Sequence, residues 1–547
     1  MTDKEVPASF EGGAHTQPAG RPRSVARSAG LISLATMISR VLGLAREMVM
    51  AKYFGAGILT DAFNVAYRIP NLLRDLFAEG ALSSAFVPTF VRVLNQGGKS
   101  QAWLLASRVM NALLVILGLV TLLIYFGARG FVYLLAGGFA QQQAKFELTV
   151  QMTRIMSPFL LTVALAAVAM GMLNACGVFF IPALAASAFN VCCILAGIFL
   201  SPLLPRYGLE PIVSMAVGAL AGGASQFLVQ MPSACRLGFR YRLALDFSDP
   251  WLRHIGKLML PAVIGLSATQ INITVDNQIA SRYGDGPVSY LNYAFRLMQL
   301  PIGVFGVAVA TATLAAVSHH AAQNALSKLR DTIGSSLRIA ACLTFPATAG
   351  LIVFREEIVR LLYERGSFLP SDTIKTSQVV LLYALALFAY SAVKILVPTF
   401  YALDDTRTPV RTSMFTVAVK IAVNFLFIAP LGFLGLALST AVASWMNFFL
   451  LLRQLGRRTG WKWDWKEIAV YGRIAIASFA MASLALLAYK LGERVVPIRG
   501  TASLATVLGF AIAVGAVSVV LLLRLFRVQE AAELYTMIRR RVTRTAK

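Results

Sequence analysis

The sequence predicts an all-α polytopic membrane protein with about 14 transmembrane helices. They form two six-helix lobes related by a pseudo-two-fold axis, plus a C-terminal helix pair. Three observations carry this reading. Charged residues make up only 14% of the 547, against about 25% in an ordinary soluble protein. Apolar runs of about 20 residues, each long enough to cross a hydrocarbon core roughly 30 Å thick, recur from residue 28 to residue 525. Lys and Arg then gather in alternate loops and tails, as in "RRRVTRTAK", which is the positive-inside pattern. The net charge of +25 therefore points to membrane topology, and nucleic acid is not an expected partner.

The expected spans are 30–54, 61–92, 103–127, 148–174, 178–201, 212–235, 257–280, 289–317, 333–354, 376–402, 408–429, 432–453, 470–490 and 501–525. An even number places both ends on one side. Lys and Arg on that side outnumber those on the other by more than two to one, so the termini are expected to be cytoplasmic. The heaviest basic segments are 236–257, 457–473 and the C-terminal tail. "WKWDWK" in the second of these reads as an interfacial anchor. Residues 1–27 are polar and lack the apolar region of a signal peptide, which reads as a disordered cytoplasmic tail. The five cysteines lie in or beside apolar runs with no metal-ligand spacing, as small buried apolar residues do.

The chain resembles itself at an offset near 229. "AKYFGAG" (51–57) lies against "ASRYGDG" (280–286). With one gap, "FNVAYRIPNLL" (63–73) lies against "LNYAFRLMQLP" (291–301), which pairs Asn64 with Asn292 and Arg68 with Arg296. "CGVFFIPAL" (176–184) and "LDDTRTPVR" (403–411) each place a proline at the start of the next span. The expected organisation is a lobe over 28–238, a linker over 239–256, a second lobe over 257–455, an extra helix pair over 456–525 and a basic tail over 526–547. A parallel repeat of this kind binds cargo between its lobes near the midplane and exposes it by rocking.

Charges stand where hydrocarbon is expected. The first two spans hold Arg40, Arg46, Glu47, Asp61, Arg68, Arg74, Asp75 and Glu79; the later spans hold Asp276, Arg296, Lys394 and Lys420. Each Arg, Lys or Asp at the bilayer centre costs about 2.5–3.5 kcal/mol on insertion scales, so such residues face a bundle interior or a wet cavity. Arg40 and Glu47 share a helix face about 10 Å apart, whereas Arg46 lies about 100° round from Glu47. A bend at Gly43, between the arginines, would bring both heads to one cavity. Pro70 in "YRIPNLLRDLFAEG" breaks the second span one turn before Arg74, and Arg296 is followed by Pro301 and Gly303. Arg68, Asp75 and Glu79 lie nearer an interface and read equally well as internally paired. Arginines converging from both lobes suit phosphate oxygens, because the guanidinium donates two parallel bonds.

Enzymatic readings find little support. The chain has no G-x-x-x-x-G-K-[ST] loop, H-E-x-x-H, C-x-x-C or G-x-S-x-G motif, and His319 and His320 face different ways on a helix. A membrane glycosyltransferase needs carboxylates in a large external loop, and the loops here are short. The reading is a transporter, not an enzyme, with no cofactor.

"SRVLGLARE", "FGAGILTDAFNVAYRIPNLLRDLFAEGALSSAFVP", "YAFRLMQLPIGVFGVAVATATL" and "KILVPTFYALDDTRTPV" closely resemble the MurJ/MviN family of lipid II flippases, within the multidrug/oligosaccharidyl-lipid/polysaccharide exporter superfamily. The resemblance runs from about residue 28 to 525. It implies a multi-pass protein of the bacterial inner membrane that flips lipid II, the undecaprenyl-diphosphate-linked disaccharide-pentapeptide of peptidoglycan synthesis, with the last helix pair forming a groove for the polyprenyl tail. Membrane lipids and the cell-wall synthesis machinery join the implied partners. The family's cavity arginines fall on Arg40, Arg46, Arg74 and Arg296, and its acidic and polar cavity positions on Asp61, Asn71 and Ser289. Two positions depart from the family pattern: Glu47 stands where Asp is usual, and Gln299 where some members carry Glu, which bears on proton coupling. Some members hold sodium between the seventh, eleventh and twelfth helices. Here Asp276, Asn424 and Thr440 would contribute, and Lys420, one turn before Asn424, is expected to pair with Asp276 in the ion's place. A related exporter of another polyprenyl-linked oligosaccharide, or of drugs, is the alternative reading.

Overall fold

Apolar runs this long must satisfy their backbone polar groups internally, and helices do so within one segment. A computed structural model of the protein describes residues 22–75, 82–461 and 464–530, and these contain helices and no strand. In chain order the helices are α1 (Pro22–Phe54), α2 (Ile58–Arg74), α3 (Ser83–Ala136), α4 (Gln143–Met156), α5 (Phe159–Ala175), α6 (Phe180–Leu195), α7 (Val213–Arg236), α8 (Pro250–Ala280) and α9 (Pro287–Pro301). They continue as α10 (Val307–Ala322), α11 (Leu326–Val353), α12 (Arg355–Tyr363), α13 (Pro370–Ala384), α14 (Leu387–Ala402), α15 (Arg407–Leu431), α16 (Leu434–Thr459), α17 (Trp465–Val495) and α18 (Thr501–Leu525).

Among the described residues every expected span falls on helix, although several spans are broken. Ten helices there are long and apolar enough to cross a membrane, and the bent pair α13–α14 makes an eleventh. The expected second span covers α2 and the start of α3, where Gly98 (φ 73°) kinks α3 before its next crossing. The eighth comprises α9 and α10, joined through a π-helical turn at Ile302–Gly306. The tenth bends by 44° between α13 and α14. There the carbonyls released at Ala384 and Leu385 accept from the Thr348 hydroxyl (3.2 Å) and the Trp445 indole (2.8 Å). The break therefore leaves neither carbonyl unpaired in hydrocarbon. The short helix α12, with Glu356 and Glu357 in its first turn, falls outside the expected spans. Glu79, most of the N-terminal tail, part of "WKWDWK" and most of the basic C-terminal tail (531–547) lie outside the described residues.

α1 to α7 form one bundle, in which α6 packs on α7 and α1, and α3 on α5. α9 to α16 form a second, and the α17–α18 pair attaches to it through α11 and α12. Pro182 and Pro409, matched in the internal repeat, are each the third residue of a helix, α6 and α15. α8 is the exception: the first helix of the expected second lobe packs mainly along α3 of the first bundle. The segment before it is strapped to the same helix. Arg108 of α3 pairs with Asp246 (3.4 Å) and Asp249. Asn111 donates to the Arg242 and Ala244 carbonyls at 2.9 Å.

Asp249 is 7% exposed and relies on Arg108 for compensation. Removing one partner of a buried ion pair is costly. Arg108→Ala is therefore expected to lower the thermal unfolding midpoint in detergent, by the equivalent of about 1–3 kcal/mol, while Arg92→Ala on the same helix leaves it unchanged. Equal melting of the two variants would show that the strap contributes nothing.

Candidate functional site

A cavity of about 700 Å³ lies between the bundles, walled by α1, α2 and α6 on one side and by α9, the π turn and α14 on the other. Six cationic side chains line it (Arg40, Arg46, Arg68, Arg74, Arg296 and Lys394), against two carboxylates, Glu47 and Asp75. Ser39, Asn71, Asn190, Gln226 and Gln299 add uncharged polar groups.

The expected bend at Gly43 is not needed. α1 passes through Gly43 as one helix, and the two arginine side chains curve into the lumen from opposite flanks. Arg46 lies over the Phe189 ring of α6, 5.5 Å from its centroid. Arg40 reaches across to the second bundle. A Cβ at Gly303 would stand 2.2 Å from its guanidinium, so the missing side chain in the π turn makes room for Arg40. π turns of this kind recur at functional sites.

Glu47 joins the two walls. Its Oε1 accepts from Arg46 at 2.5 Å and lies 3.5 Å from Nε of Arg296. Arg296 itself remains half exposed to the lumen. Around the rim, Arg74 bonds Asp75 (2.9 Å), and Arg68 bonds Gln270 of α8 (2.7 Å), whose amide reaches Asp75 (3.3 Å). Arg68 and Arg296, paired in the internal repeat, thus both face the cavity.

Two expected cavity residues lie elsewhere. Asp61 and Ser289 are fully buried in a clasp beyond one end of the cavity, at the first turns of α2 and α9. Asp61 Oδ1 accepts from the Ser289 amide (2.8 Å) and hydroxyl (2.6 Å). Its Oδ2 accepts from the Gly286 amide (2.8 Å) and from Lys145 (2.9 Å). Lys145, 2% exposed, also bonds Asp285 at 2.9 Å. Nearby, the α1–α2 turn meets the α12–α13 loop. The Ser367 amide donates to the Lys52 carbonyl (2.9 Å) and the Tyr293 hydroxyl to the Gly55 carbonyl (3.1 Å). Gly55 (φ 67°) and Gly366 (φ 62°) hold left-handed conformations there, and a Cβ on either would strike the facing carbonyl at 2.2–2.3 Å. Lys145 gives no signal in the sequence, where it sits just before an apolar run and looks like ordinary flanking charge. Lys394 does stand out there as an intramembrane charge, but without a place in the site.

The expected ion pair is present, between α8 and α15 of the second bundle. Lys420 Nζ lies 2.5 Å from Asp276 Oδ2, and the Asn424 amide donates to Oδ1 at 3.1 Å. The Thr440 hydroxyl is turned to the Leu436 carbonyl (2.8 Å). Both carboxylate oxygens are thus engaged by nitrogen donors. Asn424 Oδ1 is buried without a partner, but one carbonyl is not an oxygen cage, and the set does not fit a sodium ion.

Paired helical bundles around a polar, strongly cationic lumen define a polytopic membrane transporter. An inward-facing multidrug resistance MATE family transporter of the MOP superfamily has the same fold, with a TM-score of 0.63 at 15% identity over 78% of this chain and 98% of that one. The particular family follows from closer matches. The lipid II flippase MurJ family model matches residues 50–496, and the chain belongs to that family. A probable lipid II flippase MurJ of Vibrio cholerae is 35% identical, covering 84% of this chain and 88% of the relative. The lipid II flippase MurJ of Burkholderia cenocepacia is 34% identical over 78% and 83%. A solved lipid II flippase MurJ in an inward closed conformation superposes with a TM-score of 0.74 at 28% identity, covering 90% of this chain and 99% of that one.

Lys145→Met would leave Asp61 buried without its cation and so loosen the clasp. A cysteine placed at Ala56, which is 4% exposed, is expected to react several-fold faster with a small maleimide in the Lys145→Met background. Unchanged reactivity would show that the clasp does not depend on Lys145.

Proposed function

We propose that the chain flips lipid II from the cytoplasmic to the periplasmic leaflet by alternating access, with Arg40, Arg46, Arg74 and Arg296 binding the diphosphate. The observation that carries this reading is the Glu47 bridge. One carboxylate already draws together arginines from opposite walls, and a diphosphate presents more oxygens and more charge to the same forks. Cargo would displace Glu47 and take over the bridge, with Asn71 and Gln299 toward the sugars and peptide. Glu47 thus acts as a placeholder that keeps the arginines oriented when the lumen holds no cargo.

The basic excess on the side of the termini supports placing them in the cytoplasm. The clasp at Asp61 then closes the periplasmic side, and this form receives cargo from within. A groove of about 520 Å³ between α11, α14, α16 and α17, lined by Ile352, Leu385, Phe388, Trp445, Phe479 and Leu486, supports keeping the polyprenyl tail in hydrocarbon while the headgroup crosses. Rocking of the bundles would open the clasp and release the headgroup outside. With Gln299 uncharged and Lys420 on Asp276, the membrane potential is the supporting energy source, worth about 2.3 kcal/mol per charge per 100 mV.

Arg296→Ala is expected to insert normally and to stop the appearance of headgroup in the outer leaflet, read by periplasmic enzymatic cleavage of labelled precursor. Normal appearance would remove Arg296 from the cargo site. Depletion of the protein should halt peptidoglycan synthesis with lipid-linked precursor accumulating inside. Replacing external sodium by choline is expected to leave flipping unchanged. A sodium requirement in the wild type that disappears in Asp276→Ala would instead assign a cation to that pair.

A further inference from the structure

A second concavity lies away from the cargo cavity and shares no lining residue with it. It runs between α3 and the first half of α8, about 450 Å³ in volume. Val109, Leu113 and Leu117 of α3 face Ile255, Met259 and Val263 of α8 across it. From Arg253 to Val263 it descends ten residues of helix, about 15 Å, which is half of a hydrocarbon core roughly 30 Å thick. The groove is therefore one leaflet deep.

Its mouth is cationic. Arg253 belongs to the groove and also to an adjoining polar pocket with Ser248, His254 and Lys257. Arg253, His254 and Lys257 are all exposed. Arg253 donates through Nε to the Phe247 carbonyl at 3.0 Å, which fixes the guanidinium while its terminal nitrogens stay available. The nearby carboxylates only partly offset this rim, because Asp246 and Asp249 both turn to Arg108 of α3, which leaves one negative charge over against the two cations Arg253 and Lys257. The strap that holds the linker on α3 thus leaves the rim with a net positive charge.

We propose that this groove holds an anionic diacyl phospholipid from the leaflet on the side of the termini. One acyl chain lies between α3 and α8, and the phosphate sits on Arg253 and Lys257. A zwitterionic lipid would fill the apolar part and bring a phosphate to the rim, but its own ammonium group offsets the attraction to Arg253 and Lys257. A free phosphate would use the rim but not the groove. The lipid occupies the contact between α8 and the first bundle and so sets how firmly α8 rests on α3. The assignment is independent of the flipping reading.

The test is native mass spectrometry of the full-length purified chain, equilibrated with phosphatidylglycerol or phosphatidylcholine of identical acyl chains. The wild type is expected to retain phosphatidylglycerol preferentially. Arg253→Gln combined with Lys257→Gln should bring its retention down toward the phosphatidylcholine level, roughly fivefold for each cation removed. Gly256→Phe fills the groove from a position where an added Cβ meets open space, and it should reduce retention of both lipids. Arg296→Ala, in the cargo cavity, should leave the adduct intact. Phosphatidylglycerol retention unchanged in the double glutamine variant or in Gly256→Phe would overturn the proposal. So would loss of the adduct in Arg296→Ala, which would place the lipid in the cargo cavity, or equal competition by glycerol phosphate, which would make the groove irrelevant.

Discussion

A carboxylate with no exposed surface holds the two bundles together at one end. Asp61 lies where water cannot reach its carboxyl group, so its environment must supply every partner. It does so from α2's neighbours on both sides: Lys145 at the start of α4, the Ser289 hydroxyl, and two amides at the start of α9. A buried ion pair of this kind contributes little net stability compared with apolar packing, but it penalises wrong arrangements severely. That suits the all-or-none closure that the proposed alternating access requires. The rest of the architecture follows from this joint, since closing one end of the bundle interface leaves the wet lumen between them at the other.

The lumen obeys the opposite rule. Its cations outnumber its carboxylates, so the site remains partly uncompensated and hydrated. Glu47 and Asp75 moderate that excess, each by contact with particular arginines. Part of the backbone irregularity lies in the cavity walls. The π turn after Pro301 carries the glycine against which Arg40 rests, and Pro70 removes a donor from α2 beside Asn71. In hydrocarbon such breaks survive only where protein or water satisfies the freed groups.

Much of this was legible in the chain. Apolar run length placed the expected spans on helix, because hydrocarbon thickness imposes the same demand on each. The cavity arginines could be read because a charge inside an apolar run is too costly to persist without a polar surrounding. Direction was harder. Asp61 and Ser289 belong to the first turns of α2 and α9, and their sequence does not reveal whether they face a lumen or a sealed joint. Lys145 was invisible for a related reason, since only tertiary packing brings it within 2.9 Å of two carboxylates. The helix α12 escaped because nine amphipathic residues show neither a span's length nor a loop's turn residues. The placement of α8 on α3 likewise depends on Arg108 and Asn111 gripping the linker, contacts that link residues more than 130 positions apart.

The imbalance of charge in the lumen also has a consequence for what stays out. Many amphiphiles that dissolve in membranes are organic cations, and a chamber lined by five arginines and a lysine repels them before any contact is made. The two carboxylates that could have welcomed such a guest are already held by arginines. On the proposed reading of this cavity, selectivity among the greasy molecules of the bilayer would begin as rejection, imposed by the sign of the field, and shape would have only to choose among the anions that remain.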